Sequence, residues 1–264
     1  MENAVAGRQD QNKVTDESYW DGVWSPMQPS LSTLSDSDFY YGKNGLFAKL
    51  IHKRLGSIEG TRILELGGGG ENKRLLSMKK WMDADVTALD FSDEGLKVVK
   101  ELFDINQCSG NFLNADMCSW TPDQQYDSVV HWGVLEHFID PKPILEKSFS
   151  ALKNNGRLLF SMPNMEAIGA HLWKRWCPDN WSKHVFHSKE LIENTLREIG
   201  FSSVESFHYG VPFLKGAEWE IAAMGQRPID LLQKACSASA RVVPIFHQYG
   251  NKHLSMERGF IAVK

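Results

Sequence analysis

Hydrophobic positions change period along the chain, and that change predicts its elements. Residues Met1 to Ser18 are rich in Glu, Asn, Gln, Asp and Lys, too polar to bury a core of their own, and read as a flexible leader that could still fold over a ligand. An aromatic stretch follows (Tyr19, Trp20, Trp24, Phe39, Tyr40, Tyr41), then Leu46, Phe47, Leu50, Ile51 and Leu55 at helical spacing, which predicts an N-terminal helix packed on the main body. From Arg62 onward, short apolar runs alternate with amphipathic stretches. Strands are predicted at Arg62 to Leu66, Val86 to Leu89, Ser128 to His131 and Arg157 to Ser161. Helices are predicted at Glu71 to Met82, Asp93 to Phe103 and Pro143 to Leu152, the last ending near Asn154-Asn155-Gly156. Ser188 is placed to cap a helix that stops before Gly200, and strands follow near Val204 to His208 and Gly259 to Lys264.

Alternation of this kind is the signature of a mostly parallel sheet with helical crossovers. The expected fold class is α/β, a Rossmann-like doubly wound sheet of seven strands, mostly parallel with an antiparallel C-terminal strand. Residues 1–58 form the leader and N-terminal helical cap, and 59–264 the main domain. Roughly fifty residues separate the last two strands, more than a compact connection needs. They mark a lid or substrate insertion at about 210–256, with helical pieces near Trp219 to Met224 and Ile229 to Leu232 that would complete an acceptor pocket or present a homodimer face.

Composition narrows the class. With 264 residues, 42% of them hydrophobic, the chain can bury one sizeable core. The net charge of −4 comes without a basic stripe, so nucleic acid is not expected as a partner. Cys108, Cys118, Cys177 and Cys236 form no CxxC pair and read as reduced structural thiols, and no run of about 18 apolar residues occurs. A soluble cytoplasmic protein with no membrane partner is the expectation.

The chemistry is concentrated after the first strand. Ile63-Leu64-Glu65-Leu66 runs straight into Gly67-Gly68-Gly69-Gly70, and four glycines at a strand-to-helix turn suggest that backbone must approach a ligand closely. A dinucleotide fingerprint is broken, because its third glycine falls on Asn72 or Lys73, which disfavours a nicotinamide oxidoreductase. Glu65 can attract a cationic group or organise the loop amides. Asp90 ends the second strand, where a carboxylate can accept both hydroxyls of a ribose. Asp116 could accept a hydrogen bond from an adenine amino group while Met117 packs beside the ring.

Together with Tyr126 to Phe138 (YDSVVHWGVLEHF) and Leu152 to Asn164 (LKNNGRLLFSMPN), and further along HVFHSKEL from His184 to Leu191, these segments run in the order found in class I S-adenosylmethionine-dependent methyltransferases. The chain resembles that family, especially its small-molecule and ubiquinone-biosynthesis O-methyltransferases. The resemblance implies S-adenosylmethionine as cofactor and S-adenosylhomocysteine as product. It places Glu65, Gly67 and Gly69 along the methionine part, Asp90 at the ribose, Asp116 and Met117 at adenine, and His131 beside the methionyl and sulfonium region, with Gly68 and Phe91 as further cofactor-binding residues. Glu71, where many relatives carry a glycine, and Gly68, where a cysteine is common, depart from the pattern.

The implied activity is methyl transfer to a small molecule, with a hydroxyl oxygen preferred and nitrogen the alternative; a non-catalytic adenosyl-binding adaptor is the reading from another class. An oxygen acceptor benefits from a general base, and His131, His184 and His137 are the candidates, with His187 near the same mouth. Some ubiquinone-type relatives use a metal, but Glu136 and His137, as adjacent positions, would not share one helical face, so no metal site is expected. If Trp20 and Trp24 meet Trp173, Trp176 and Trp181 over the cofactor, they form an aromatic lid; ordinary core packing explains them equally well.

Overall fold

The structure, a computed structural model, describes residues 12–25, 31–36, 43–210 and 250–264. Chain order runs α1 (Glu17–Trp24), α2 (Lys43–Leu55), β1 (Arg62–Leu66), α3 (Lys73–Met82), β2 (Asp85–Asp90), α4 (Asp93–Ile105), β3 (Asn111–Asn114) and β4 (Tyr126–Trp132). A 3₁₀ turn (Leu135–His137) leads to α5 (Lys142–Ala151), β5 (Leu152–Pro163), α6 (Ile168–Trp176), α7 (Pro178–Trp181), α8 (Lys189–Ile199), β6 (Ser203–Tyr209) and β7 (Glu257–Val263). The seven strands order as β3-β2-β1-β4-β5-β7-β6, with β7 antiparallel to both neighbours and the other pairings parallel. This is the doubly wound, mostly parallel sheet expected. Its order reverses between β1 and β4, so the loops after those strands flank the crevice where such sheets bind ligands.

Both faces are covered, which is why the strands read as nearly continuous apolar runs. On one face Ile51 and Leu55 of α2, Leu75 and Leu76 of α3 and Val99 and Leu102 of α4 pack on Ile63, Val130 and Leu159. On the other, Ile144 and Leu145 of α5 and Ile192 and Leu196 of α8 pack on Leu64, Val129 and Leu158. Burying each such side chain fully stabilises the fold by about 1.5–3 kcal/mol.

Helix boundaries follow side-chain caps. Ser188 Oγ accepts the Leu191 N–H at the start of α8, and Gly200, left-handed at φ 116°, ends it. α3 begins two residues later than its periodicity suggests, because Asn72 caps it by accepting from Leu75 N. β5 is longer than expected: Asn155 takes a left-handed φ of 64°, yet the Asn-Asn-Gly segment stays with the sheet, since Asn155 N donates to Lys264 O and Lys264 N to Gly156 O.

The N-terminal segment differs from the expected flexible leader. From residue 12 it is tied down: Ile139 N donates to Asn12 O, Val14 N donates to His137 O, and Asp16 caps α1 by accepting from Tyr19 N. Phe39 to Tyr41, Cys236 and the helical pieces expected within 210–256 lie outside the described residues. Among the described residues Cys108, Cys118 and Cys177 form no disulfide with one another, and no helix is long and apolar enough to cross a membrane.

Candidate active site

The carboxyl ends of β1, β2 and β4 bring the sequence-derived residues together. Gly67 has φ 67°, and a Cβ there would lie 2.9 Å from Val134 Cγ2, so only glycine lets the loop pass the end of β4. Gly69 N donates to Asp90 Oδ2 and Ser92 N to Asp90 Oδ1, both at 2.9 Å, leaving further lone pairs on each carboxylate oxygen. Burial raises the Asp90 carboxyl above its usual range, opposed by the Ser92 and Gly69 amides.

The close approach expected of a ligand at the glycine loop is made at Gly70 by the protein itself. Its φ is 77°, and a Cβ would fall 2.7 Å from the Trp24 ring of α1. The same helix reaches α4, where Ser92 Oγ donates to Asp21 at 2.5 Å. Lys13 Nζ lies 2.6 Å from Asp116 Oδ2 and 5.2 Å from the Phe91 ring centroid. Asp116 thus accepts from a cationic amine in the position where an adenine amino group was expected. Burial pushes the Asp116 carboxyl up, but the Lys13 hydrogen bond and charge and the Cys118 N–H outweigh it and hold it low. Met117 is buried, its methyl close to Gly67. Residues 12–24 therefore cover the part of the crevice lined by Asp90, Phe91 and Asp116.

Glu65 is 3% exposed, and desolvation raises its carboxyl to about 8 against the smaller opposing effects of Asn72 and Arg74, with Asp90 adding to the rise. A cation placed beside it would favour the ionised form. A ligand that sets an ammonium beside Glu65 is therefore expected to release about one proton on binding at pH 7. Calorimetry in buffers of different ionisation enthalpy reads this directly, and Glu65→Gln should abolish the release. The same shift sets a stability slope. A carboxyl raised from 4.5 to about 8 contributes stability that is fully present below 4.5 and lost as pH rises through 8.

The three histidine candidates have different environments. His131 is fully buried, stacked on Phe160 with centroids 4.6 Å apart, and desolvation lowers its pKa to about 3. Neither ring nitrogen has a hydrogen-bond partner among the described residues. Its choice as general base is corrected, because the pleat of β4 turns the ring into the apolar layer, where a proton is costly to hold. What His131 can offer a ligand is backbone.

His137 and His184 stand together instead, with ring centroids 4.8 Å apart. His137 Nδ1 lies 3.0 Å from Lys183 O and His184 Nδ1 2.8 Å from Asn180 O. A carbonyl can only accept, so both Nδ1 atoms carry hydrogen in these bonds. Glu136 joins them. Because Leu135–His137 is a 3₁₀ turn and not an α-helical face, one ligand atom from each of Glu136, His137 and His184 lies within 4.8 Å of the others. Three such donors could hold a divalent cation or pass a proton. The expectation of no metal site assumed regular helix here and did not foresee His184. Val185 N donates to Glu136 O at 2.6 Å, and His187 Nε2 bonds the Leu135 and Phe138 carbonyls, so His187 pins the turn.

The two aromatic segments also meet here. Trp20 stacks on Trp24 and sets its edge on His137, while Trp173 contacts both Trp181 and His184. Sequence reasoning missed Lys13 and Asp21, whose isolated charges gave no periodic signal, and Arg74, whose place two residues after the helix cap could have drawn notice.

Comparison with known proteins adds the family. A model described as a methyltransferase domain matches residues 41–206, more than half of the chain. A trans-aconitate 2-methyltransferase from Rhizobium rhizogenes is 26% identical over 137 residues, covering 51% of this chain and 52% of that protein. A ubiquinone biosynthesis O-methyltransferase from Idiomarina loihiensis is 30% identical over 170 residues, covering 56% and 69%. The chain thus spans about half the length of the first of these relatives. Among solved structures, phosphoethanolamine N-methyltransferase 2 from Haemonchus contortus shares the fold, with a TM-score of 0.58 at 19% identity over 86% of this chain and 56% of that one.

Proposed function

The chain belongs to the methyltransferase-domain family, and from that premise we propose that it transfers a methyl group from S-adenosylmethionine to a small-molecule hydroxyl. The observation that carries this reading is the placement of a paired imidazole, His137 and His184, under tryptophans beside a crevice lined by Glu65, the glycine loop, Asp90 and Asp116. The donor is already activated, so the protein's part is to align acceptor and methyl and to exclude water. In the step itself the acceptor oxygen attacks the methyl carbon, the oxygen–carbon bond forms as the sulfur–carbon bond breaks, and the sulfonium becomes a neutral thioether. The hydroxyl proton passes to the His137–His184 imidazole pair. Positive charge thereby moves from sulfur to imidazole, with Glu136 placed to favour it. A divalent cation held by Glu136, His137 and His184 would supply Lewis-acid activation of the same hydroxyl.

The catalytic roles of His137 and His184, and the cofactor roles of Glu65, Gly67, Gly68, Gly69, Asp90, Phe91, Asp116 and Met117, rest on this reading. Release of S-adenosylhomocysteine with a panel of hydroxylated metabolites is the expected result, and a labelled methyl group identifies the acceptor atom. Labelled product carrying the methyl on nitrogen would replace oxygen with the alternative. Tight cofactor binding with no turnover on any acceptor would point to an adaptor instead.

A further inference from the structure

The imidazole pair is held from a segment that has no part in the reading above. Asn180 lies in α7, a single helical turn, and its two oxygens engage different partners. The backbone oxygen accepts from His184 Nδ1 at 2.8 Å and from Lys183 N at 3.2 Å, while the side-chain Oδ1 accepts the Trp173 indole N–H at 2.9 Å. Three residues on, the Lys183 carbonyl accepts from His137 Nδ1 at 3.0 Å, across 46 positions of sequence. Both imidazoles are therefore tied to the stretch from Asn180 to Lys183.

One turn of helix does not hold its shape alone, because it fixes several dihedrals for each hydrogen bond gained. α7 also lacks a side-chain cap at its start. Besides its own bonds, Trp181 N to Cys177 O and Ser182 N to Pro178 O, it is pinned to α6 by the bond between Trp173 and Asn180. Trp173 is 3% exposed and packs edge to face with Trp181 at 5.0 Å and with His184 at 4.7 Å between centroids. One indole thus touches the imidazole with its ring and, through its N–H, fixes the residue whose carbonyl holds that imidazole.

We propose that Asn180 is a positioning residue for the imidazole pair, locked by Trp173 through its side chain so that its own carbonyl and that of Lys183 keep both Nδ1 hydrogens in place. This rests on the reading of His137 and His184 as the proton acceptor. A neutral imidazole carries one N–H, and the partner of one ring nitrogen decides which nitrogen keeps it. Loosening the turn lets the hydrogen change nitrogen and the rings leave their alignment, which costs rate and spares ligand affinity.

The test joins steady-state kinetics to ¹⁵N spectra of the neutral imidazole rings. Asn180→Ala removes the acceptor, Trp173→Phe removes the donor but keeps an aromatic ring against His184, and Asn180→Asp keeps an oxygen that can accept. Asn180→Ala and Trp173→Phe are each expected to lower kcat about 5- to 50-fold, with the KM of the acceptor and the Kd of S-adenosylhomocysteine within about twofold of the wild type. Asn180→Asp should stay within about threefold in kcat. His184 should read as the Nδ1–H tautomer in the wild type and Asn180→Asp, and as a mixture of tautomers in Asn180→Ala. Wild-type kcat in Asn180→Ala and Trp173→Phe overturns the proposal, as does a lowered kcat with the tautomer unchanged. Equal losses of kcat and ligand affinity overturn it too, because they mark a structural role. Should Asn180→Ala fail to fold, Trp173→Phe and Asn180→Asp decide the question by the same readouts. If His137→Ala and His184→Ala turn over like the wild type, the proton-acceptor reading itself fails; if they collapse beside an indifferent Asn180→Ala, the positioning role alone is lost.

Discussion

Asp90→Ala is expected to weaken S-adenosylhomocysteine binding by at least about 100-fold. Two charge-assisted hydrogen bonds from ribose hydroxyls, each worth roughly 1.5–3 kcal/mol, would be lost together. The amides of Gly69 and Ser92 hold the carboxylate, so the substitution also removes the acceptor that holds the glycine loop against β2. Asp90→Asn separates the two effects. It keeps one carbonyl acceptor for the loop but loses the charge, so it should retain the melting temperature better than alanine while still losing about 10-fold or more in affinity. An Asp90→Ala protein that melts like the wild type and binds the ligand equally well would remove Asp90 from the site.

The second large effect is expected at the imidazole pair. His184→Ala and His137→Ala should each lower kcat by about 10²- to 10⁴-fold on a hydroxyl acceptor, with the dissociation constant for S-adenosylhomocysteine little changed. The double variant should lose far less than the product of the two, because adjoining groups that handle one proton act as a unit. His131→Phe supplies the contrast. Its ring stacks on Phe160 and its pKa of about 3 keeps it neutral, so kcat should stay close to that of the wild type. Full turnover in both His137→Ala and His184→Ala would exclude the pair as the proton acceptor, and a collapse confined to His131→Phe would restore the residue that burial argues against.

These contrasts separate what local sequence encodes from what packing decides. The first strand, the glycine turn and Asp90 follow from adjacent residues: apolar runs specify buried strands, Asn72, Ser92 and Ser188 specify where helices begin, and a positive φ at Gly67 requires glycine. The residues proposed for the cofactor side from Glu65 to Asp90 therefore come from one short stretch of chain and are visible in it. His131 shows the limit of that visibility. Its position at the end of β4 is evident from the sequence, but the face its ring takes depends on the pleat and on Phe160 and Phe260 packing beside it.

By itself, then, the sequence determined the α/β alternation, the loop after β1 and the acid after β2, because each depends on the conformational preferences of neighbouring residues. Only the tertiary structure decided that Lys13 meets Asp116, that Trp24 lies on Gly70, and that His184 meets His137. Those contacts join segments 103 residues apart in the first case, and in the last depend on His187 bonding the carbonyls of Leu135 and Phe138. Periodicity records which face of an element is apolar but not which distant segment covers it. That is set by strand order and by hydrogen bonds between loops, and it is there that the proposed acceptor side of this site is built.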